Sequence, residues 1–259
     1  MTTMTAETTS GAKTNNKTHE PLQQLAHELW QRAKDSQHYW VGIAGGPGSG
    51  KSTCAREVAL VLNSLQPNCC LVIPMDGYHC SQDTLLEQFG EEGLRRKGAP
   101  FTFDTTALVQ DLRHAQEAKQ RMYFPDYSRE TSRPVPDAIA FDPHTHRIIL
   151  VEGLYLLHTR DPAWAPLQEM WDERWWVEVP SREEQIERVV QRAFRTWNSL
   201  KKELWGDGVE GARKRTLYND VPNMETIAYC RECADVIIET GSKECRVYHR
   251  MDDNDKTLD

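Results

Sequence analysis

The chain has 259 residues, a formal net charge of -8 and seven cysteines. That length can bury a full core, and the acidic balance leaves no basic footprint, which argues against nucleic acid as a partner. An odd cysteine count without framework spacing points to a reducing interior, and with no apolar run long enough for a bilayer and no apolar signal core, the expected setting is cytoplasmic with no membrane partner.

Residues 1–20 are rich in Thr, Asn and Lys, have little to bury, and read as a disordered tail. Between residues 21 and 35, Leu22, Leu25, Ala26, Leu29 and Ala33 recur on one helical face, predicting an amphipathic helix against the sheet edge. Residues 39–44 form the short apolar run of a buried parallel strand. It runs into Gly45-Gly46-Pro47-Gly48-Ser49-Gly50-Lys51-Ser52-Thr53, which satisfies the phosphate-loop pattern G-x-x-x-x-G-K-[ST]. The glycines let the backbone curl so that several N–H groups aim at one anion. Lys51 adds a point charge for the outer phosphates, and the Ser52 hydroxyl is a hard oxygen ligand for Mg2+. A helical pattern over residues 54–62 completes the order strand, loop, helix and sets a helix N-terminus against the phosphate. The nine loop residues are the nucleotide-binding candidates, with ATP and Mg2+ as the expected cofactors.

Residues 69–74 read as a second strand, uniformly apolar and therefore fully buried. This strand delivers Met75-Asp76-Gly77-Tyr78-His79 to the carboxyl end of the sheet, where open α/β folds bind ligands. Asp76 has two readings: a turn cap before Gly77, or a carboxylate that accepts the proton of an attacking hydroxyl. Its place just beyond a strand favours the second. Residues 83–98 predict a charged helix up to the Gly98-Ala99-Pro100 breaker, and Asp104 either caps a helix over residues 107–119 or touches substrate. Residues 122–142, rich in proline, aromatic and polar turn residues, predict an irregular loop. Residues 147–153 form the third strand, four apolar residues ending in Glu152, which fits a Walker B acid that orders Mg2+ or its waters. His144 and His146, just before it, read as solvated loop histidines.

Residues 174–179 predict a fourth strand with Trp175 and Trp176 in the core. Ser181 with Glu184 makes a capping box for a helix through Trp197, on which Arg188, Arg192 and Arg195 share one broad face. Residues 201–214, charged and holding three glycines, read as a mobile extension of that helix. Residues 234–241 predict the last strand and a turn. Cys230 and Cys233 lack a second pair at zinc spacing and read as structural thiols, and residues 249–259 form an acidic tail.

The phosphate loop followed by Pro74-Met75-Asp76-Gly77-Tyr78-His79 resembles the phosphoribulokinase, uridine kinase and pantothenate kinase group of P-loop kinases. Three more segments carry the likeness: Arg96-Lys97-Gly98-Ala99-Pro100-Phe101-Thr102-Phe103-Asp104, Phe124-Pro125-Asp126-Tyr127-Ser128-Arg129, and Val151-Glu152-Gly153-Leu154-Tyr155-Leu156-Leu157. Together they look most like the branch of fructose-transport-associated kinase-like proteins and fungal ATP-dependent kinases, over roughly residues 41–241. The resemblance implies substrate contacts from Asp76, Tyr78, His79, Asp104, Tyr127 and Arg129. It also implies a helical lid over about residues 182–218, in which Arg192 closes on the transferring phosphoryl group and Arg188 reaches the substrate. Glu152 would share the metal with Ser52.

The expected fold is α/β, a parallel β-sheet with helices on both faces, of the P-loop NTPase and nucleoside-kinase type, as one domain over residues 21–248. With Asp76, Lys51 and Arg192 as the catalytic set, the expected reaction is ATP-dependent transfer of a γ-phosphoryl group to a hydroxyl of a nucleoside, sugar or vitamin precursor. The expected assembly is a monomer or homodimer. A competing expectation is a nucleotide-dependent ATPase or switch acting on a protein partner, which would need the phosphate loop and Glu152 but not Asp76 or the aromatic segment.

Overall fold

The structure is a computed structural model that describes residues 19–128, 130–242 and 244–250. The expected tails over residues 1–18 and 251–259, and the substrate candidate Arg129, lie outside the described residues. In chain order the elements are α1 (Glu20–Arg32), β1 (Tyr39–Ala44), α2 (Lys51–Leu65), β2 (Cys70–Pro74), α3 (Gln82–Arg95), α4 (Thr105–Glu117), β3 (Met122–Ser128), β4 (Arg133–Phe141), β5 (Ile148–Glu152) and β6 (Glu173–Glu178). They continue as α5 (Arg182–Arg195), α6 (Ser199–Trp205), α7 (Gly208–Arg215), α8 (Val221–Ile227), β7 (Val236–Thr240) and β8 (Cys245–His249).

Six strands form one sheet in the order β2-β5-β1-β6-β7-β8, parallel except for β8, which runs antiparallel to β7. Side chains alternate across a strand, and here both faces are buried. Trp40 and Ala44 of β1, Ile149 and Val151 of β5 and Trp176 of β6 enter one core with Leu108 and Leu112 of α4. Val41, Ile43, Ile148, Leu150, Trp175 and Val177 enter the other, which α1 and α2 close. The fold is thus the expected α/β sheet with helices on both faces.

The register sets the carboxyl ends in a row. Glu152 pairs with Ile43 on one side and with Pro74 on the other, so the tip of β5 stands between the phosphate loop after β1 and the Asp76 turn after β2.

Several expectations are corrected. Strand β2 is an edge strand, so only two of its five residues are buried rather than all. Helix α3 is broken at Gly90, whose φ of 60 and ψ of -153 no helix accommodates. Residues 122–142 are not irregular: β3 and β4 pair antiparallel, with the register shift between Phe124 and Asp126 absorbing Pro125. A two-stranded ribbon has a free edge on each strand, and there the missing N–H of a proline costs no ladder bond. Residues 201–214, the extension expected beyond α5, fold into parts of α6 and α7. Helix α1 packs on α2 and on β8, the strand that residues 245–249 add beyond the expected last one.

Candidate active site

Gly50, with φ of 97, sits in the left-handed region as it caps α2, which a side chain would strain. Lys51 opens α2 buried, its Nζ donating to the Gly46 carbonyl at 3.3 Å. Ser49 is fully buried, and among the described residues its hydroxyl makes no hydrogen bond. The Ser52 Oγ donates to Glu152 Oε1 at 2.6 Å, and Glu152 itself is buried. Two hard oxygen groups, one anionic, thus face each other at the head of α2, a donor set suited to a hard divalent cation.

The Asp76 turn is built by close approach. A Cβ on Gly77 would stand 2.3 Å from the Pro125 carbonyl, so glycine there lets the β3–β4 ribbon rest directly on the turn. The contact brings the Tyr127 ring to 4.8 Å from the His79 ring, and His79 also meets Phe103 at 4.1 Å. The His79 Nδ1 lies 3.0 Å from the Asp76 carbonyl, which fixes the imidazole against the turn. Asp76, His79 and Tyr127 line the same cleft as Lys51, Ser52 and Glu152, and Arg192 of α5 lines it too.

Three expected substrate residues are spent elsewhere. The buried Tyr78 donates its hydroxyl to Asp111 of α4 at 2.8 Å, and burial with the Asp111 carboxylate pushes its pKa up. Asp104 accepts from the Ala107 N–H at 2.9 Å as the N-cap of α4. Arg188 turns away from the cleft: its guanidinium donates to the Thr240 carbonyl at 2.8 Å and to Glu184 at 2.7 Å. That ion pair uses the Glu184 carboxylate, so only half of the expected capping box forms, the Ser181 Oγ accepting from the Glu184 N–H at 3.2 Å. Thr240 in turn donates to the Ser49 carbonyl at 2.6 Å, so Arg188 braces the phosphate loop from behind. His144 and His146 make local contacts with the Lys119 carbonyl and the Asp142 N–H, and among the described residues no cluster could hold a metal through His, Cys, Asp and Glu alone.

The cleft also contains groups the sequence did not single out. Lys97 lies beyond α3, donates to the Ser132 carbonyl at 2.8 Å and stands 5.2 Å above the Tyr127 ring. Burial holds its pKa down at about 8, with Arg133 and Arg215 pushing the same way. Lys201 of α6 donates to the Thr196 carbonyl at 2.6 Å, and burial with Arg215 holds it at about 8 as well. The sequence leaves the segment 219–223 open between a helix start and a substrate-side loop; α8 begins within it. Its Asn219 and Asn223 donate to the Lys97 and Gly98 carbonyls at 2.7 and 3.1 Å, and its Asp220 pairs with Arg215 at 2.8 Å. For Lys97 the available signal was the segment Arg96 to Asp104 that carries the family likeness, in which its charge reads equally as a surface helix end.

No family model matches the chain. A candidate uridine kinase of Schizosaccharomyces pombe is 31% identical over 220 residues, covering 82% of this chain and 89% of that relative. Among solved structures, a candidate fructose transport system kinase from Silicibacter is 31% identical with a TM-score of 0.65, covering 82% of this chain and 94% of its own. The kinase YFH7 of Saccharomyces cerevisiae, a circularly permuted P-loop protein, is 19% identical with a TM-score of 0.67, covering 86% of this chain and 98% of its own, and shares the fold.

Proposed function

Because the chain belongs to the P-loop kinases related to uridine kinase, we propose that it transfers the γ-phosphoryl group of ATP to a hydroxyl of a small metabolite, with Asp76 as the base. The observation that carries the reading is one cleft holding both halves of such a reaction: the Ser52–Glu152 contact of 2.6 Å beside Lys51, and Asp76 with the His79–Tyr127 wall.

Main-chain amides of Gly45 to Thr53 cradle the β- and γ-phosphates, and Lys51 neutralises the outer one. Ser52 and Glu152 hold Mg2+, which when bound offsets phosphate charge. The Asp76 carboxylate accepts the proton of the acceptor hydroxyl while that oxygen bonds to the γ-phosphorus. The bond to the β–γ bridging oxygen breaks, and ADP leaves. Arg192 meets the charge spread over the equatorial oxygens, as the first helix of a lid made by α5 to α7. His79 and Tyr127 hold the acceptor against Asp76, which contributes by orientation.

The test is ADP formation across a panel of hydroxylated metabolites, with D76N beside the wild type. Turnover should fall about 10²- to 10⁴-fold in D76N while ATP affinity holds. Equal turnover in the two proteins, or ADP formation stimulated by no small molecule, would sink the assignment.

A further inference from the structure

Eight charged residues line the cleft among the described residues: Lys51, Lys97, Arg192, Lys201 and Arg215 against Asp76, Glu152 and Asp220. In the reading above, Lys51 and Arg192 answer the phosphates of ATP, Glu152 the metal and Asp76 the acceptor hydroxyl. Arg215 meets Asp220 at 2.8 Å. Lys97 and Lys201 are left over. Both ammonium groups donate to main-chain carbonyls, of Ser132 and Thr196, and a neutral carbonyl does not balance a half-buried cation.

The two lysines belong to one corner. Arg95, two residues before Lys97, donates to the Leu204 carbonyl at 2.8 Å and so seats α6, which carries Lys201, against the end of α3. Arg215 acts electrostatically on both. Lys97 is also the member nearest the proposed chemistry: it overlies Tyr127, Tyr127 packs on His79, and the Asp76 carboxylate acts on it through space.

Resting on the kinase reading, we infer that the acceptor is itself an anion, a hydroxylated carboxylate or a phosphate monoester, whose charged group is bound by Lys97 and Lys201. A neutral nucleoside or free sugar would enter the cleft and give the two cations no charged partner in hydrogen-bond contact, so the pair selects against it. An anion brought there supplies charge-assisted hydrogen bonds in a partly dry site, where they are strong. Lys97 and Lys201 are specificity residues, separate from the group that takes the proton.

The experiment is titration calorimetry of the full chain loaded with Mg2+ and a non-hydrolysable ATP analogue, so that the phosphate loop is filled, using inorganic phosphate and malonate as probes. Wild type should bind at least one probe, K97Q and K201Q about tenfold or more weakly, and Lys97→Arg nearly as the wild type. Preference for phosphate points to a phosphate monoester, and preference for malonate to a carboxylate. Binding of neither probe, or equal binding by wild type and both Gln variants, overturns the inference. So does a neutral acceptor turned over with the same kcat/KM in wild type and K97Q. The analogue's own binding, read in the same cell, tests the kinase reading separately.

Discussion

Lys97 is charged below about pH 8 and neutral above it, because burial penalises its ammonium form. Two consequences of opposite sign follow over the interval from pH 8 to the ordinary lysine range. The empty fold gains stability as that penalty disappears, and affinity for an anion at this corner is lost. The groups facing Lys97 are Cys80, Asp76, Arg133 and Arg215, and Arg215 also faces Lys201. Phosphate affinity measured from about pH 7 to about pH 9.5 should fall steeply in the wild type and stay low and flat in a K97Q/K201Q double variant. At this scale the sequence was legible wherever spacing alone fixes a role's geometry. Lys51, Ser52, Asp76 and Glu152 converge as their motifs predicted, since Glu152 ends β5, Asp76 follows β2, and Lys51 and Ser52 open α2 just past the loop after β1. Lys97 and Lys201 were not legible, because the burial that distinguishes them is a property of the assembled cleft. For Tyr78 and Arg188 nothing local reveals that Asp111 and Thr240 engage their polar ends.

Among the elements, α6 meets α3 through a small set of side chains. Arg95 donates to the Leu204 carbonyl and lies 5.3 Å from the Trp205 ring centre, Trp205 packs 5.2 Å from Tyr218, and Tyr218 donates to Glu92 at 2.8 Å. These contacts clasp the C-terminal end of α6 to α3, with Lys201 in the first turn of α6 and Lys97 two residues beyond α3. Cation–π and single hydrogen-bond terms are worth about 1 kcal/mol each, so Trp205→Ala should raise acceptor KM several-fold with little change in ATP affinity. Faster tryptic cleavage after Lys201 or Lys202 would report the same loosening, and an unchanged KM with unchanged cleavage would show the clasp to be idle. The element types were read well where apolar periodicity is long, as in α1, α2 and β5. They were misread over residues 122–142, where prolines hide a ribbon whose partner strands satisfy each other.

For the whole molecule, the sheet and its helical layers followed from alternating apolar runs, but the strand order did not. Which strand lies beside β1 depends on crossovers that no single run encodes, and β8 reverses direction because the connection over residues 241–244 is too short for a parallel crossover. Magnesium ATP bound at this cleft would be held by the folded chain and not by the unfolded one. Magnesium ATP at a hundredfold excess over its Kd should therefore add about 2.7 kcal/mol, a rise of several degrees in thermal midpoint. Lys51→Met should abolish that rise, which differential scanning fluorimetry reads directly; a midpoint that never moves in the wild type would argue against nucleotide binding.

The chain of bonds from the Ser49 carbonyl through Thr240 to Arg188 gives the protein a mechanical linkage. Arg188 and Arg192 sit one helical turn apart on α5, so the strut behind the phosphate loop and the arginine that lines the cleft belong to one helix. Any tilt of α5 would therefore be transmitted to the phosphate loop through Thr240 at the tip of β7.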